Sequence, residues 1–386
     1  MNQEHIHKKV KIAHILYGMM MGLLSIFGIV FFYTTFGENL FYTFSFFGVI
    51  YLVSAIFDLL VPFVIPSITP KYAGMLSMVL YAISALALYG FSIYIDSIFI
   101  LVTYSGTYAL ARALYQNVFQ NYLMETAQVK NLGHDIGGMF AFIAFSGVLL
   151  PSMIGYLSDL YGPISLVILL LILNIICIFI YASLPHISYK TKLRLKDIRR
   201  DRTYRQLGKT AFWAGVYGPV AWIWSIALFI YLGERLAFLG VFIAALNLVA
   251  SIGVKVLGNK MDKSNKKALF GKLRISNSIE LLLKGISSIH IAFAVIADLY
   301  GRLNDRLYGV VFNIFFYSWV DHHEQKTMLD ERITLGQAVF NLTVGMTFLF
   351  FGIMSIITTL TNSFILLGLV FFLGFLHFAF STSKKQ

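Results

Sequence analysis

Residues 188–209 read SYKTKLRLKDIRRDRTYRQLGK, with nine cations and two acids in 22 positions. This is the one long polar stretch in a chain of 386 residues that is 58% hydrophobic and 12% charged. An average soluble protein carries about 25% charged residues, so a soluble globular fold is excluded. The stretch lies near the middle of the chain and separates 1–187 from 210–386. Outward from it, apolar runs follow one another: 12–33, 41–65, 72–94, 98–122, 138–157 and 163–184 before it, then 210–231, 237–257, 334–359 and 362–382 after it. Each is near the roughly 20 residues a helix needs to cross the hydrocarbon core. The runs are continuous rather than alternating, which excludes a transmembrane β-barrel. Between 266 and 318 the chain is as long as two spans but carries Lys272, Arg274, Glu280, Lys284, Asp298, Arg302, Asp305 and Arg306, so two polar helices are expected at 268–288 and 290–318. The expectation is an all-α integral membrane protein: twelve transmembrane helices as two six-helix bundles, 1–187 and 210–386, joined by a basic linker.

The charges give this arrangement an orientation. With the N-terminus inside, Lys8, Lys9, Lys11, Lys71, Lys130, the linker cations, the basic residues of 255–274, Lys326, Arg332, Lys384 and Lys385 all fall on one side, and the opposite loops carry essentially only Arg235. By the positive-inside rule both termini and the linker face the cytoplasm, in a multi-pass protein of an inner membrane. The net charge of +12 is thereby explained without a nucleic-acid partner. The linker reads first as a topogenic cytoplasmic segment; its functional alternative is binding of anionic lipid headgroups, which attract such clusters by about 1 kcal/mol per cation near the surface. The apolar run after MNQEHIHKKVK is too long for a signal peptide, so it reads as an uncleaved first helix. A single cysteine, Cys177, allows no intramolecular disulfide. No phosphate-binding glycine loop, zinc motif or nucleophile elbow occurs, so neither a cofactor nor soluble-type hydrolysis is expected.

The two halves repeat one another. Arg112-Ala-Leu-Tyr115 followed by Val118-Phe119 matches Arg306-Leu-Tyr308 followed by Val311-Phe312, and Asn131-Leu-Gly-His134 matches Thr334-Leu-Gly-Gln337, each pair ahead of the next span. Such a duplication about a basic loop resembles the major facilitator superfamily of secondary transporters over essentially the whole chain. Gly258-Asn-Lys-Met-Asp262-Lys263-Ser-Asn-Lys266-Lys267 is similar to that family's cytoplasmic signature, which implies a gate latch built from Gly258, Asp262, Lys263 and Lys267. The corresponding loop between spans two and three, Pro66-Ser-Ile-Thr-Pro70-Lys71, lacks the acid. Gly147-Val-Leu-Leu-Pro151-Ser-Met-Ile-Gly155 resembles the family's antiporter motif, and its small residues equally suit close helix packing.

An ionisable residue at membrane depth costs at least about 2.5 to 3.5 kcal/mol and marks a functional candidate. Arg112 is one, on a helical face shared with Gln116 and Gln120 and flanked by Asn117. Arg306 holds the corresponding place, with Arg302, Asp305 and Asp298 around it. Guanidinium forks match carboxylate or phosphate, so Arg112, Gln116, Asn117, Arg302, Asp305 and Arg306 are the expected substrate contacts. The alternative is that acids in the bundle neutralise the arginines, Asp58 for Arg112. Asp58 and, less so, Glu280 are the candidate proton carriers, Lys284 standing one helical turn from Glu280. Trp213, Tyr217, Trp222 and Trp224 suit substrate stacking, core packing or interfacial anchoring. Asp321-His-His-Glu324 resembles a metal set, but adjacent histidines on a helix diverge by about 100°, so no metal is expected.

The function expected is secondary active transport of a small anionic solute by alternating access, with a proton as coupling ion, membrane lipids as surroundings and a monomer as the working unit. Export or flipping of an amphipathic lipid or drug is the alternative that 36 Phe and 22 Tyr favour. A polytopic membrane enzyme or a sensor is the alternative from another class; only Asp321 to Glu324 offers a grouped catalytic set.

Overall fold

A computed structural model describes residues 3–95, 97–126, 132–186, 202–261, 266–321 and 329–370. Among these every regular element is a helix. In chain order they are α1 (Gln3–Thr35), α2 (Leu40–Ile65), α3 (Ile68–Ile93), α4 (Ile98–Thr126), α5 (Leu132–Tyr161), α6 (Ile164–Ala182), α7 (Arg202–Tyr217 continuing as Val220–Tyr231), α8 (Leu236–Met261), α9 (Lys266–Ile286), α10 (Ile291–Asp321), α11 (Leu329–Ile357) and α12 (Leu360–Val370). Among the described residues eight stretches, on α1 to α7 and α11, are long and apolar enough to cross a membrane. Their outer faces are apolar, Phe99 being 77% and Phe179 71% exposed, as a lipid-facing surface requires. The chain is a multi-pass membrane protein.

The sequence accounts for the helix ends. Asn39 opens α2 by accepting the Tyr42 amide at 3.0 Å, a side-chain N-cap. Between α2 and α3 the turn is a kink rather than a loop: Thr69, at φ 58, precedes Pro70, whose ring disfavours helical backbone in the residue before it. The apolar run 210–231 is broken at Gly218–Pro219, because Pro219 has no N–H for the carbonyl one turn back and its ring crowds that carbonyl. The last residues of the expected linker, from Arg202 on, already belong to α7. Residues 302 to 306 lie inside the continuous α10, not in a loop.

A repeat is visible in the turns. Gly37 (φ 66) and Glu38 (φ 61) join α1 to α2, and Gly233 (φ 75) and Glu234 (φ 62) join α7 to α8. In both, the glutamate amide returns to a carbonyl five residues back at 2.9 Å, from Glu38 to Tyr33 and from Glu234 to Phe229. Left-handed backbone at two successive residues reverses the chain tightly, and glycine takes the first without strain.

Two seams join the halves. Along α5 and α8, Gly155 lies against the Leu236 carbonyl and Gly240 against the Pro151 carbonyl, both closer than a Cβ would allow. Along α2 and α11, a Cβ on Gly345 would stand 2.9 Å from the Gly48 carbonyl. Small residues permit such backbone approach inside a membrane.

Candidate functional site

Among the described residues, two of the cavities between the halves share a wall of α1. The first, about 220 Å³, is bounded by α1, α5, α7, α8, α9 and α10 and receives Asn247, Lys284, Asp298, Arg302, Asp305 and Arg306. The second, about 260 Å³, is bounded by α1, α2, α4, α7 and α11 and receives Arg112. Gly22 and Ser25 line both. There α1 opens into a single π turn, Leu24–Gly28, which re-aims its side chains at the place where it passes between the cavities.

In the first cavity each cation has its answer. Arg302 Nε donates to Asp298 Oδ2 at 2.6 Å, and Trp224 Nε1 donates to the other Asp298 oxygen at 3.0 Å. Lys284 is ion-paired with Glu280, and both are buried. Glu280 also accepts from the Tyr217 hydroxyl and from Asn304 Nδ2, the latter at 3.0 Å. Arg306 is held by neutral acceptors of α8: Asn247 Oδ1 at 2.9 Å, Ser251 Oγ at 2.6 Å and the Asn247 carbonyl at 3.3 Å. Asn247 Oδ1 accepts Arg302 as well, at 3.1 Å, and its Nδ2 donates to the Gly147 carbonyl of α5 at 2.6 Å. One amide thus ties α8, α10 and α5 together across the seam. Lys284, Arg302 and Arg306 are matched in number by Glu280, Asp298 and Asp305.

Arg112 stands differently. It is 9% exposed, its guanidinium lies 5.0 Å over the Tyr51 ring, and its Nε donates to Asn341 Oδ1 at 3.2 Å. Asn341 Nδ2 in turn donates to Asp58 Oδ2 at 2.6 Å. The expected neutralising acid is therefore one amide away, and that amide comes from α11 in the other half. Asp58 is fully buried, and its Oδ1 has no hydrogen-bond partner among the described residues. The two Nη atoms of Arg112 have no hydrogen-bond partner among the described residues either, and Arg112 lines the second cavity. Behind Arg112 the N-terminal half is a cluster of phenols: Tyr17 bonds Tyr81 at 3.2 Å and stacks on Tyr115 at 3.7 Å, while Tyr104 stacks on Tyr108 at 5.7 Å.

The structure brings Arg302, Asp305 and Arg306 together and sets Arg112 in the neighbouring cavity. Gln116 and Asn117 line neither of the two. Asn117 instead bonds the Ala113 carbonyl at 2.9 Å and receives Thr334 of α11 at 3.3 Å. Glu280 has the partner at i+4 that its spacing implied. Of the gate set, Asp262 and Lys263 lie outside the described residues, as do the surroundings of Lys267, and Gly258 is a backbone position on α8. His322, His323 and Glu324 lie outside them too. Asn247 and Asn341, which hold the two arginines, are the residues of the candidate site that sequence reasoning passed over. Their signal was an amide in the middle of an apolar run, where an unsatisfied polar group is costly.

No family model and no characterised protein matches the chain by sequence. Solved structures do match it. A POT family transporter in complex with a thioalcohol-conjugated peptide has a TM-score of 0.73 over 99% of this chain and 96% of its own, at 11% identity. The human organic anion transporter has 0.68 over 97% and 99%, at 10% identity, and a D-xylose–proton symporter 0.68 over 94% and 96%, at 13%. The chain has the major facilitator fold. Proteins of this fold hold substrate near the bilayer midplane, between the repeated halves. Both cavities of this chain lie between α-helices of opposite halves, with an asparagine of the C-terminal half reaching across each seam.

Proposed function

We propose that the chain is a secondary active transporter that moves a small anionic solute by alternating access of two six-helix bundles, 1–187 and 210–386, with Asp58 as the carrier of a coupled proton. Arg112 is the observation that carries this reading. A buried guanidinium at membrane depth whose Nη edge meets a cavity and no acid is stabilised when an anion arrives. Arg302 and Arg306 already hold partners and form the wall of the adjoining cavity, through which the anion reaches or leaves Arg112. The unpartnered oxygen of buried Asp58, one amide from Arg112, suits a proton that is taken up and released as the anion comes and goes. Twelve spans and a cytoplasmic linker complete the reading, and the latch of Asp262, Lys263 and Lys267 belongs at the cytoplasmic end.

A melting-temperature screen of carboxylates and phosphates on the purified protein tests the reading, because a ligand bound only to the folded state raises stability by mass action. At least one anion should raise the melting temperature of the wild type and fail to do so in Arg112→Gln. Losing the charged partner in a desolvated site costs about 2 to 5 kcal/mol, on the order of 30-fold or more in affinity. An anion response of equal size in the variant ends the reading.

A further inference from the structure

The walls of the Arg112 cavity say more about what it holds. Among the described residues its one lining charge is Arg112, and around it stand Tyr51, Trp222, Phe340, Ser25 and Gly218. The Ser25 hydroxyl already donates to the Gly22 carbonyl at 2.8 Å, so it has no proton to offer a solute. A polyhydroxylated solute would find few partners here and would leave its own hydroxyls unsatisfied. Trp222 is held edge-on by Phe47, with ring centres 5.5 Å apart, and by Phe348 at 6.5 Å, so the indole is a fixed wall rather than a loose side chain. Gly218 keeps the space between α7 and α11 open: a Cβ there would stand 3.2 Å from Val344 Cγ2 and 3.3 Å from the edge of the Phe340 ring. A single guanidinium edge with aromatic walls is complementary to one negative charge on a flat apolar body.

Building on the anion reading above, we infer that this cavity takes an aromatic monocarboxylate, with the carboxylate on the Nη edge of Arg112 and the ring among Tyr51, Trp222 and Phe340. Trp222 and Gly218 then decide specificity, while Arg112 decides affinity for the charge. A small aliphatic acid would satisfy Arg112 and leave the aromatic walls without a partner. The corresponding amide would fill the walls and leave Arg112 without a counter-charge.

The test measures affinities of benzoate, acetate and benzamide for the purified full-length protein, from ligand-dependent melting temperatures. Benzoate should bind about tenfold or more tightly than acetate, and benzamide at least about 30-fold more weakly than benzoate. Trp222→Leu should bring benzoate to within about threefold of acetate, and Gly218→Ala should weaken benzoate while leaving acetate within about twofold. Arg112→Gln should remove both acids. Benzoate and acetate binding equally, both dependent on Arg112, overturns the inference and leaves the anion reading standing. Binding of neither overturns the inference and leaves the anion reading to the wider screen of carboxylates and phosphates; binding of both undiminished by Arg112→Gln overturns the two together. The ligand series on the wild type and the Trp222 and Gly218 variants decide the matter even if Arg112→Gln does not fold.

Discussion

Lys284→Met is the perturbation whose cost the structure specifies most fully. Glu280 is 0% exposed and Lys284 2%, so neither charge is screened by water. Taking away one member of a buried pair strands the other, at about 3 to 5 kcal/mol. The bonds that Tyr217 and Asn304 give Glu280 exist before the change, so they offset none of that cost. Nor does the damage stay local, because Lys284 lies 5.4 Å over the Trp224 ring, and Trp224 holds Asp298 against Arg302. Glu280→Gln alone strands Lys284 in the same way. Glu280→Gln with Lys284→Met leaves an amide that keeps its two neutral donors beside an apolar side chain of similar length, and replacing a whole buried pair is often neutral. The double variant should therefore regain at least about 3 kcal/mol relative to the sum of the singles, at the top of the range for residues in contact. Melting temperatures of the four proteins in one detergent measure this coupling. If the losses of the two singles simply add in the double, the pair is not an interacting unit and the account of this network fails.

Other outcomes follow from the seams and the charge pattern. Asp159, at the end of α5, accepts the Leu236 and Ala237 amides at 3.0 and 3.1 Å and so caps α8 from the other half; Asp159→Ala removes about 0.5 to 2 kcal/mol of capping. Spin labels at exposed Tyr161 and Phe238 should then show a larger population of long distances, and an unchanged distribution would deny the contact any gating role. Gly240→Ala must push α8 off the Pro151 carbonyl and should destabilise by about 1 to 3 kcal/mol, whereas Gly106→Ala, with open space at its Cβ, should be neutral or gain up to about 1 kcal/mol. Equal melting temperatures for the two glycine variants would contradict the close seam. In a Cys177→Ser background, Arg200→Cys should resist an impermeant maleimide added outside intact cells and react once they are permeabilised; labelling from outside would invert the topology.

The class of fold was legible in the sequence because the bilayer imposes it locally: a run of about 20 apolar residues has few alternatives to a helix. The polar helices at α9 and α10 were legible for a different reason. Their charges were suspicious at membrane depth, and the structure seats Glu280 with Lys284 and Asp298 with Arg302, each at the i+4 spacing the sequence contains. Arg112 and Arg306 stood out as charges. What the sequence did not disclose was their compensation, since Asn247 and Asn341 acquire meaning only from the helices they reach, 59 and 229 residues away from the arginines they hold. Composition says that an amide sits in an apolar run; only packing says which charge it meets. The break at Gly218–Pro219 was written plainly in the sequence, but the length of the apolar run around it argued for an unbroken span.

The matching turns explain why the Nη edge of Arg112 is open and that of Arg306 is not. Tyr51 follows Gly37 by fourteen residues, and Asn247 follows Gly233 by the same number, so the matching turns put the two at one register position of α2 and α8. Each meets the arginine of its own half: Tyr51 offers Arg112 a ring face at 5.0 Å, and Asn247 offers Arg306 an amide oxygen at 2.9 Å. A ring face steadies a cation but accepts no N–H in the guanidinium plane, so the Nη edge of Arg112 stays open, whereas the amide closes that of Arg306. The same turn geometry with one different side chain therefore leaves an open guanidinium edge on Arg112 and makes Arg306 a strut.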